Sequence, residues 1–404
     1  MPLVAGVDCS TQSTKVLIVE ADSGAVVASG SAPNIVTGEG RARETAPQVW
    51  ADALATALGQ TGLAGQVAAV SVGGQQHGLV VLDRSGAPVR PAPLWHDTRS
   101  APDAIELVTA IGGPAETARR TGSVLNASFT ITHWAWLRRC EPDAAARACQ
   151  VMLPHDYLNF CLTGTATTDR SDASGTGWWS PPTGQYDLDI LALGQVDLPP
   201  EALPAVAAPD AAAGAVTAQA AERFGLAPGT GVACGSGDNA AAALALALVP
   251  GEMAMSLGTS GTAYTASTVP STDPTGIVAG FAGAQGGFLP LVCTINATLA
   301  VDRTASWLGL DREDVLPSDG VVYLPWLGGE RSPAVPTATG GMSGLRYDTE
   351  PASVLQAAYE GVVATLLAAA GELARWSPSD MSQPLLLLGG GAKGKTWQAT
   401  VQRL

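Results

Sequence analysis

The sequence predicts an α/β protein built of two domains, and three observations lead there. The chain has 404 residues, 46% of them apolar, enough to form two separate cores. Short apolar runs of strand type alternate along it with helical stretches. One arrangement, a strand, a turn of Gly or Asp with Ser and Thr, and a second strand, occurs at 4–19 and again at 253–266. This internal echo is one of pattern rather than identity.

The elements follow in order. Leu3–Val7 is an apolar strand, Asp8-Cys9-Ser10-Thr11-Gln12-Ser13-Thr14 a polar turn, and Lys15–Val19 an alternating strand. The Asp22-Ser23-Gly24 turn precedes a third strand at Val26–Ser29. Residues 47–60 read as a helix with Pro47 in its first turn. Val67–Val72 is a buried strand that runs into Gly73-Gly74-Gln75-Gln76-His77-Gly78. From about 90 to 215 the chain is rich in Pro, Gly and Trp and mixes short helices with loops. A second block opens with the strand Gly231–Cys234, the turn Gly235-Ser236-Gly237 and a helix from Asp238 to about Leu248. The strand Glu252–Leu257, the turn Gly258-Thr259-Ser260-Gly261 and the strand Thr262–Ala266 complete the second hairpin. Thr349–Trp376 is a long helix with Leu355, Tyr359, Val362, Leu366, Ala370 and Leu373 on one face, at three- and four-residue steps. After Pro378 and Pro384 comes the strand Leu385–Leu388.

Composition excludes several classes. A net charge of −15 repels phosphate backbones, so nucleic acid is not an expected partner. The start, MPLVAGVDCS, has neither the basic region nor the apolar stretch of a signal peptide. The longest unbroken apolar runs, such as Ala240–Val249, are too short to span a bilayer, so no membrane partner is expected. The cysteines Cys9, Cys140, Cys149, Cys161, Cys234 and Cys293 show no C-x-x-C pairing. His77, His96, His133 and His155 have no metal-ligand spacing. The expectation is reduced thiols in a cytoplasmic protein.

Gly389–Thr396 spell GGGAKGKT, which fits the phosphate-cradling pattern G-x-x-x-x-G-K-[ST] between a strand and a helical segment. Eight residues follow Thr396, too few for a further strand to bring an acidic residue to a magnesium ion. The glycines therefore suggest another mode of backbone approach to a nucleotide. The two hydroxyl-rich hairpin turns would offer backbone N–H groups to a polyphosphate, or they are ordinary hairpins.

Taken together, the motifs resemble those of the FGGY carbohydrate kinases, and among them the kinases of xylulose. Gly6-Val7-Asp8-Cys9-Ser10-Thr11 with Ser13-Thr14-Lys15 resembles a first phosphate hairpin, and Gly74-Gln75-Gln76-His77-Gly78 a sugar-contacting G-Q-M-H-G turn. Leu94-Trp95-His96-Asp97-Thr98-Arg99 is similar to L-W-N-D-x-R, and Leu153-Pro154-His155-Asp156-Tyr157-Leu158 to L-P-K-D-Y-L. Asp169 and Asp172-Ala173-Ser174-Gly175-Thr176 resemble the S-D-A-S-G-T segment, and Gly235-Ser236-Gly237-Asp238-Asn239-Ala240-Ala241 G-G-G-D-N-A-A. Ser256-Leu257-Gly258-Thr259-Ser260-Gly261 resembles a second phosphate hairpin, and Leu324-Pro325-Trp326-Leu327-Gly328-Gly329-Glu330-Arg331 L-P-Y-L-x-G-E-R. Gly389-Gly390-Gly391-Ala392-Lys393 resembles a loop packed on adenosine. These segments occur in the family's order over nearly the whole chain.

The resemblance implies two actin-like, ribonuclease-H-like ATPase domains with a cleft between them. Residues 1–240 would bind sugar and carry the first phosphate hairpin; residues 241–404 would carry the second hairpin and the adenosine loop. The implied reaction is ATP-dependent phosphorylation of a ketopentose, first of all D-xylulose to D-xylulose 5-phosphate, with ATP and Mg2+ required. Asp238, which follows two glycines and opens a helix, would be the general base, or else a helix cap. Asp8 would hold a hydrated magnesium ion, or else form the turn. Gln76, His77, Asn239, Trp95 and Asp97 would bind sugar, although Trp95 could be core and Asp97 could orient Arg99. Ser10, Thr11, Lys15, Gly258, Thr259, Gly389, Gly390, Gly391 and Ala392 would bind ATP, with Lys15 facing either phosphate or solvent.

Gln76 stands where the family's xylulose kinases have Met, His96 replaces Asn, and Trp326 replaces Tyr; the first change leaves the sugar open to another ketose or polyol. The family also continues past the adenosine loop with a helix, a strand and a further helix carrying G-A-A-x-x-A. Leu404 falls within the first of these, so the second domain is expected to be shortened at its C-terminus. A sugar- or nucleotide-binding relative without turnover is therefore the alternative. The sequence leaves the oligomeric state open, a homodimer included.

Overall fold

The computed structural model describes residues 1–379 and 382–404. They form two compact units, Met1–Leu246 with Phe281–Gly287, and Ala247–Gly280 with Phe288–Leu404.

In the first unit, β1 (Leu3–Cys9), β2 (Ser13–Glu20) and β3 (Val26–Pro33) form an antiparallel run. Along β2, Thr14, Val16 and Ile18 point inward while Lys15 and Leu17 face solvent, the two-residue period of a half-buried strand. Helix α1 (Pro47–Thr61) has Pro47 in its first turn and ends at Gly62 in the left-handed conformation. It buries Trp50, Leu54 and Leu58 against Val16, Ile18, Val70 and Val72. The chain then returns as β4 (Val67–Gly74), parallel to β1. Helix α2 (Pro154–Thr163) lies in the Pro-, Gly- and Trp-rich middle, which holds short helices and loops as expected. Strands β5 (Ala212–Ala215), β6 (Gly231–Ala233) and β7 (Ser236–Gly237) complete a sheet in the order β5-β6-β4-β1-β2-β3, with β7 also pairing β4. Strand β6 stops before Cys234, whose carbonyl is taken by side chains of α2. Helix α3 (Asp238–Ala245) ends before the expected Leu248, because Ala247 turns left-handed at φ 52°.

The second unit repeats the plan. Strands β8 (Met253–Leu257), β9 (Gly261–Thr265) and β10 (Phe288–Thr294) run antiparallel. Helix α4 (Thr298–Leu308), strand β11 (Val322–Leu324) and helix α5 (Pro351–Trp376) follow. Strand β12 (Leu386–Leu388) then lies parallel to β8 and leads into α6 (Lys395–Arg403). The echo between 4–19 and 253–266 is thus one of topology. Each unit has an antiparallel run of three strands, with a later strand parallel to the first.

The six residues assigned to one face of α5 are all fully buried. This helix corrects the reading of membrane spans by unbroken apolar runs. It is long and apolar enough to cross a bilayer by length and composition, but Tyr359-Glu360-Gly361 interrupts the run. Two-thirds of its apolar window is buried inside the unit, as in a core helix. At Gly361 a Cβ would sit 2.2 Å from the Tyr323 carbonyl oxygen at the end of β11's central residue. Gly361→Ala should therefore destabilise the fold by about 1–3 kcal/mol in urea unfolding, despite alanine's better helix propensity.

Candidate active site

Strands β1, β4 and β7 are parallel and in register at their carboxyl ends: Asp8 pairs with Gly73, Cys9 with Gly74, Ser236 with Gly73 and Gly237 with Gly74. Three loops therefore leave the sheet from one edge: the β1–β2 turn, the Gln75-Gln76-His77 segment, and the entry to α3 at Asp238. In open α/β sheets this edge is where ligands sit.

Asp238 is the first residue of α3, and Gly237 occupies the cap position. Its Oδ1 accepts the Asn239 backbone N–H at 2.7 Å and the Asn239 Nδ2 at 2.9 Å. The carboxyl is enclosed by protein, although the residue keeps partial access to solvent. Burial pushes it up to about 7; the Asn239 donors pull it down, and the negative charge of Asp8 adds to the rise. A carboxylate with a pKa near neutral suits acceptance of a hydroxyl proton. Asn239 Nδ2 also donates to Gln76 Oε1 at 3.1 Å, so Asp238, Asn239 and Gln76 form one polar row.

On the β1–β2 turn, Asp8 Oδ2 lies 3.6 Å from Lys15 Nζ, with both side chains about half exposed. Burial raises the Asp8 carboxyl, and Lys15 opposes the rise. Lys15 thus reaches Asp8 while remaining open to solvent. The turn is closed by Ser10 Oγ, which donates to the Ser13 carbonyl at 2.9 Å. Thr11 Oγ1 donates to Gln75 Oε1 at 3.2 Å and accepts the Trp95 indole N–H at 3.1 Å. Asn34 holds the turn from behind: its Nδ2 donates to the Ser10 carbonyl at 2.7 Å, and its Oδ1 accepts Thr14 Oγ1 at 3.1 Å. The sequence singled out neither Asn34 nor the role of Gln75; Asn34 lies 20 residues from Thr14, and no spacing marks the pair.

His77 adopts φ 72°, a left-handed conformation uncommon outside glycine. Its Nδ1 is 2.7 Å from the Gly175 carbonyl, and its ring packs between Phe129 and Phe281, with centroids 5.1 and 5.5 Å away. Asp97 is buried with both oxygens engaged. It accepts the backbone N–H groups of Arg43 at 2.9 Å and Arg99 at 3.0 Å, and the Arg99 guanidinium as well. Arg99 also pairs with Glu44. Asp97 therefore orients Arg99, one of the two roles its sequence context allowed.

The other candidates lie in the second unit. In the β8–β9 turn, the Gly258 N–H donates to the Ser260 carbonyl at 3.1 Å. The Gly258 and Thr259 carbonyls accept the N–H groups of Thr298 at 3.0 Å and Ala297 at 3.3 Å. Glu330 pins the approach to α4 by accepting the Ile295 N–H at 2.6 Å and the Asn296 Nδ2 at 3.0 Å, a role the sequence did not assign. Because Ser256 pairs with Leu388 across parallel strands, Gly389-Gly390-Gly391-Ala392 leaves the sheet next to Gly258. The structure also separates this loop from a P-loop. The Thr396 N–H and Oγ1, donors that a P-loop would turn to phosphate, both reach Glu313 Oε2, at 3.2 and 2.7 Å. Lys393 and Lys395 are exposed.

Comparison with known protein families matches both parts of the chain. Residues 3–245 match the N-terminal domain of the FGGY family of carbohydrate kinases, and residues 253–401 match its C-terminal domain. The chain belongs to the FGGY family of carbohydrate kinases. This FGGY kinase is 57% identical to the xylulose kinase of Streptomyces coelicolor, over all of its own length and 83% of the relative's. The solved xylulose kinase of Bifidobacterium adolescentis superimposes with a TM-score of 0.84 at 34% identity, covering 98% of this chain and 86% of the other. The gluconate kinase of Lactobacillus acidophilus, at 22% identity and a TM-score of 0.90, shares the fold over 99% of this chain and 83% of its own. Membership makes this FGGY protein a carbohydrate kinase of the actin-like, ribonuclease-H-like fold, with a sugar and ATP as substrates.

Proposed function

We propose that this kinase transfers the γ-phosphoryl group of ATP to D-xylulose, giving D-xylulose 5-phosphate, with Asp238 as the general base. The observation that carries the base assignment is the placement of a carboxyl with a pKa near neutral at the shared carboxyl edge of β1, β4 and β7, joined through Asn239 to Gln76. The 57% identity to a xylulose kinase supports the choice of sugar.

Phosphoryl transfer passes through a loose transition state, so positioning and charge neutralisation do most of the work. Asp238 takes the proton of the attacking sugar hydroxyl as the oxygen bonds to phosphorus. Asn239, Gln76, His77 and Trp95 hold the sugar, while Asp97 fixes the Arg43–Arg99 corner from outside. Ser10, Thr11, Lys15, Gly258 and Thr259 are assigned to the phosphates, and Gly389–Ala392 to the adenosine. The half-exposed carboxylate of Asp8 fits a hydrated magnesium ion. When bound, the ion supplies charge neutralisation at the phosphates.

Gln76, a donor and acceptor beside the proposed sugar, motivates a second reading in which the substrate is another ketose or a polyol. A coupled ADP-release assay over D-xylulose, D-ribulose and glycerol decides between them. D-xylulose should give a kcat/KM at least about tenfold above the others, on the scale that pocket contacts discriminate. A higher value for another sugar would reassign the substrate, and calorimetric sugar binding without ADP release would leave a binding protein.

The same assay run from pH 5 to 9 should show kcat/KM falling on the acid side of about 7. The sign follows from the raised carboxyl: below its pKa Asp238 carries a proton and can accept none. A profile flat down to pH 5 would contradict Asp238 as the base.

A further inference from the structure

His155 is not used by the function proposed above. It lies in the first turn of α2 and is wholly buried, as is its partner Asp172. Its Nδ1 stands 2.6 Å from Asp172 Oδ2. Its Nε2 is 3.2 Å from the Cys234 carbonyl oxygen, 3.3 Å from Asp156 Oδ1 and 3.8 Å from Asp169 Oδ1. Burial opposes a charge on the ring, but the three surrounding carboxyls outweigh it and hold the imidazole well above its ordinary range. The Cys234 carbonyl can only accept, so Nε2 donates to it, and on the charged ring Nδ1 donates to Asp172 as well.

The acceptor at Nε2 matters because of where it sits. Cys234 begins the Gly235-Ser236-Gly237 turn that delivers Asp238. Asn159, one turn further along α2, donates to the same carbonyl at 2.9 Å, and Ser171 Oγ accepts the Gly237 N–H at 3.2 Å. The ring is also wedged in place: a Cβ at Gly74 would lie 2.8 Å from His155 Cβ, and one at Gly235 would lie 3.0 Å from its Cδ2. The side chain thus touches both the end of β4 and the turn before the base.

We propose that His155 is a positioning residue for the kinase reaction: donating from both ring nitrogens, it ties the Cys234 carbonyl to Asp172 and so fixes the turn that aims Asp238. This rests on the reading of Asp238 as the general base. The test uses the full chain carrying His155→Gln and, separately, His155→Gln with Asp172→Asn. The double substitution removes a cation and a carboxyl together, and so protects the fold where the single one leaves buried carboxylates uncompensated. With saturating D-xylulose and MgATP, kcat should fall on the order of tenfold or more while both KM values stay within about twofold. On an Asp238→Asn background His155→Gln should leave the residual rate unchanged, because its effect runs through the base.

A kcat within about twofold of wild type in a folded variant would overturn the proposal, on the same scale of positioning effects. So would KM values that rise in step with the fall in kcat, or an equal further loss on the Asp238→Asn background. Full turnover by Asp238→Asn alone would instead remove the base assignment, and the role of His155 with it; the failure of a His155 variant leaves the base assignment standing.

Discussion

Asp238→Asn should lower the rate of sugar phosphorylation by about 10²- to 10⁴-fold, the usual contribution of a positioned general base. Sugar binding measured by calorimetry should survive, because asparagine keeps the shape of the side chain and an oxygen for the Asn239 N–H. The same substitution should stabilise the protein. The folded carboxyl titrates near 7, above its unfolded value of 3.8, so between about pH 4 and 7 the native state binds more protons than the unfolded chain. Stability from this group is therefore present at low pH and lost as pH rises through about 7. Asparagine has no such loss. Thermal melts should show the variant gaining on the wild type, by more at pH 8 than at pH 5. Full turnover by the variant, or a stability difference that shrinks as pH rises, would contradict the assignment.

Gly235→Ala should cost more than any nearby polar substitution. The residue adopts φ 79°, and a Cβ there would lie 2.2 Å from the Val72 carbonyl oxygen, a backbone atom in β4 that cannot yield without breaking the ladder. The turn must open, and Asp238 moves with it. The expected loss is about 3 kcal/mol in urea unfolding, from left-handed strain and overpacking together. Turnover should drop by about 100-fold or more, since a shift of an ångström at a reacting group is enough for that. A variant with wild-type stability and rate would show that the turn does not aim the base.

The parts of the fold that depend on local periodicity were legible in the sequence. The inward and outward alternation of β2 and the six-residue face of α5 are written in steps of two and of three to four. The loops of the candidate site stood out in the sequence as short polar turns at the ends of apolar strands. What escaped depends on residues distant in sequence. Asp97 stands in a sugar-contacting motif, but its anchoring by the backbone of Arg43, 54 residues away, left no local signal. The GGGAKGKT stretch fits two kinds of loop, and the residue that separates them, Glu313, lies 83 positions earlier. His155 lies 17 residues from Asp172 and 79 from Cys234, so its bridging position exists only once the chain has folded.

The Thr11 hydroxyl serves two masters. It accepts the indole N–H of Trp95 and donates its own hydrogen bond to Gln75. A change made at Trp95 to broaden the sugar range would be transmitted through that single oxygen to the loop assigned to ATP. If Trp95 holds the sugar and Thr11 the phosphates, as proposed above, the Michaelis constants for the two substrates should shift together in a Trp95 variant. Laboratory evolution toward a new sugar would have to retune both together, or begin at Gln76, which bonds to Asn239 and leaves that hydroxyl alone.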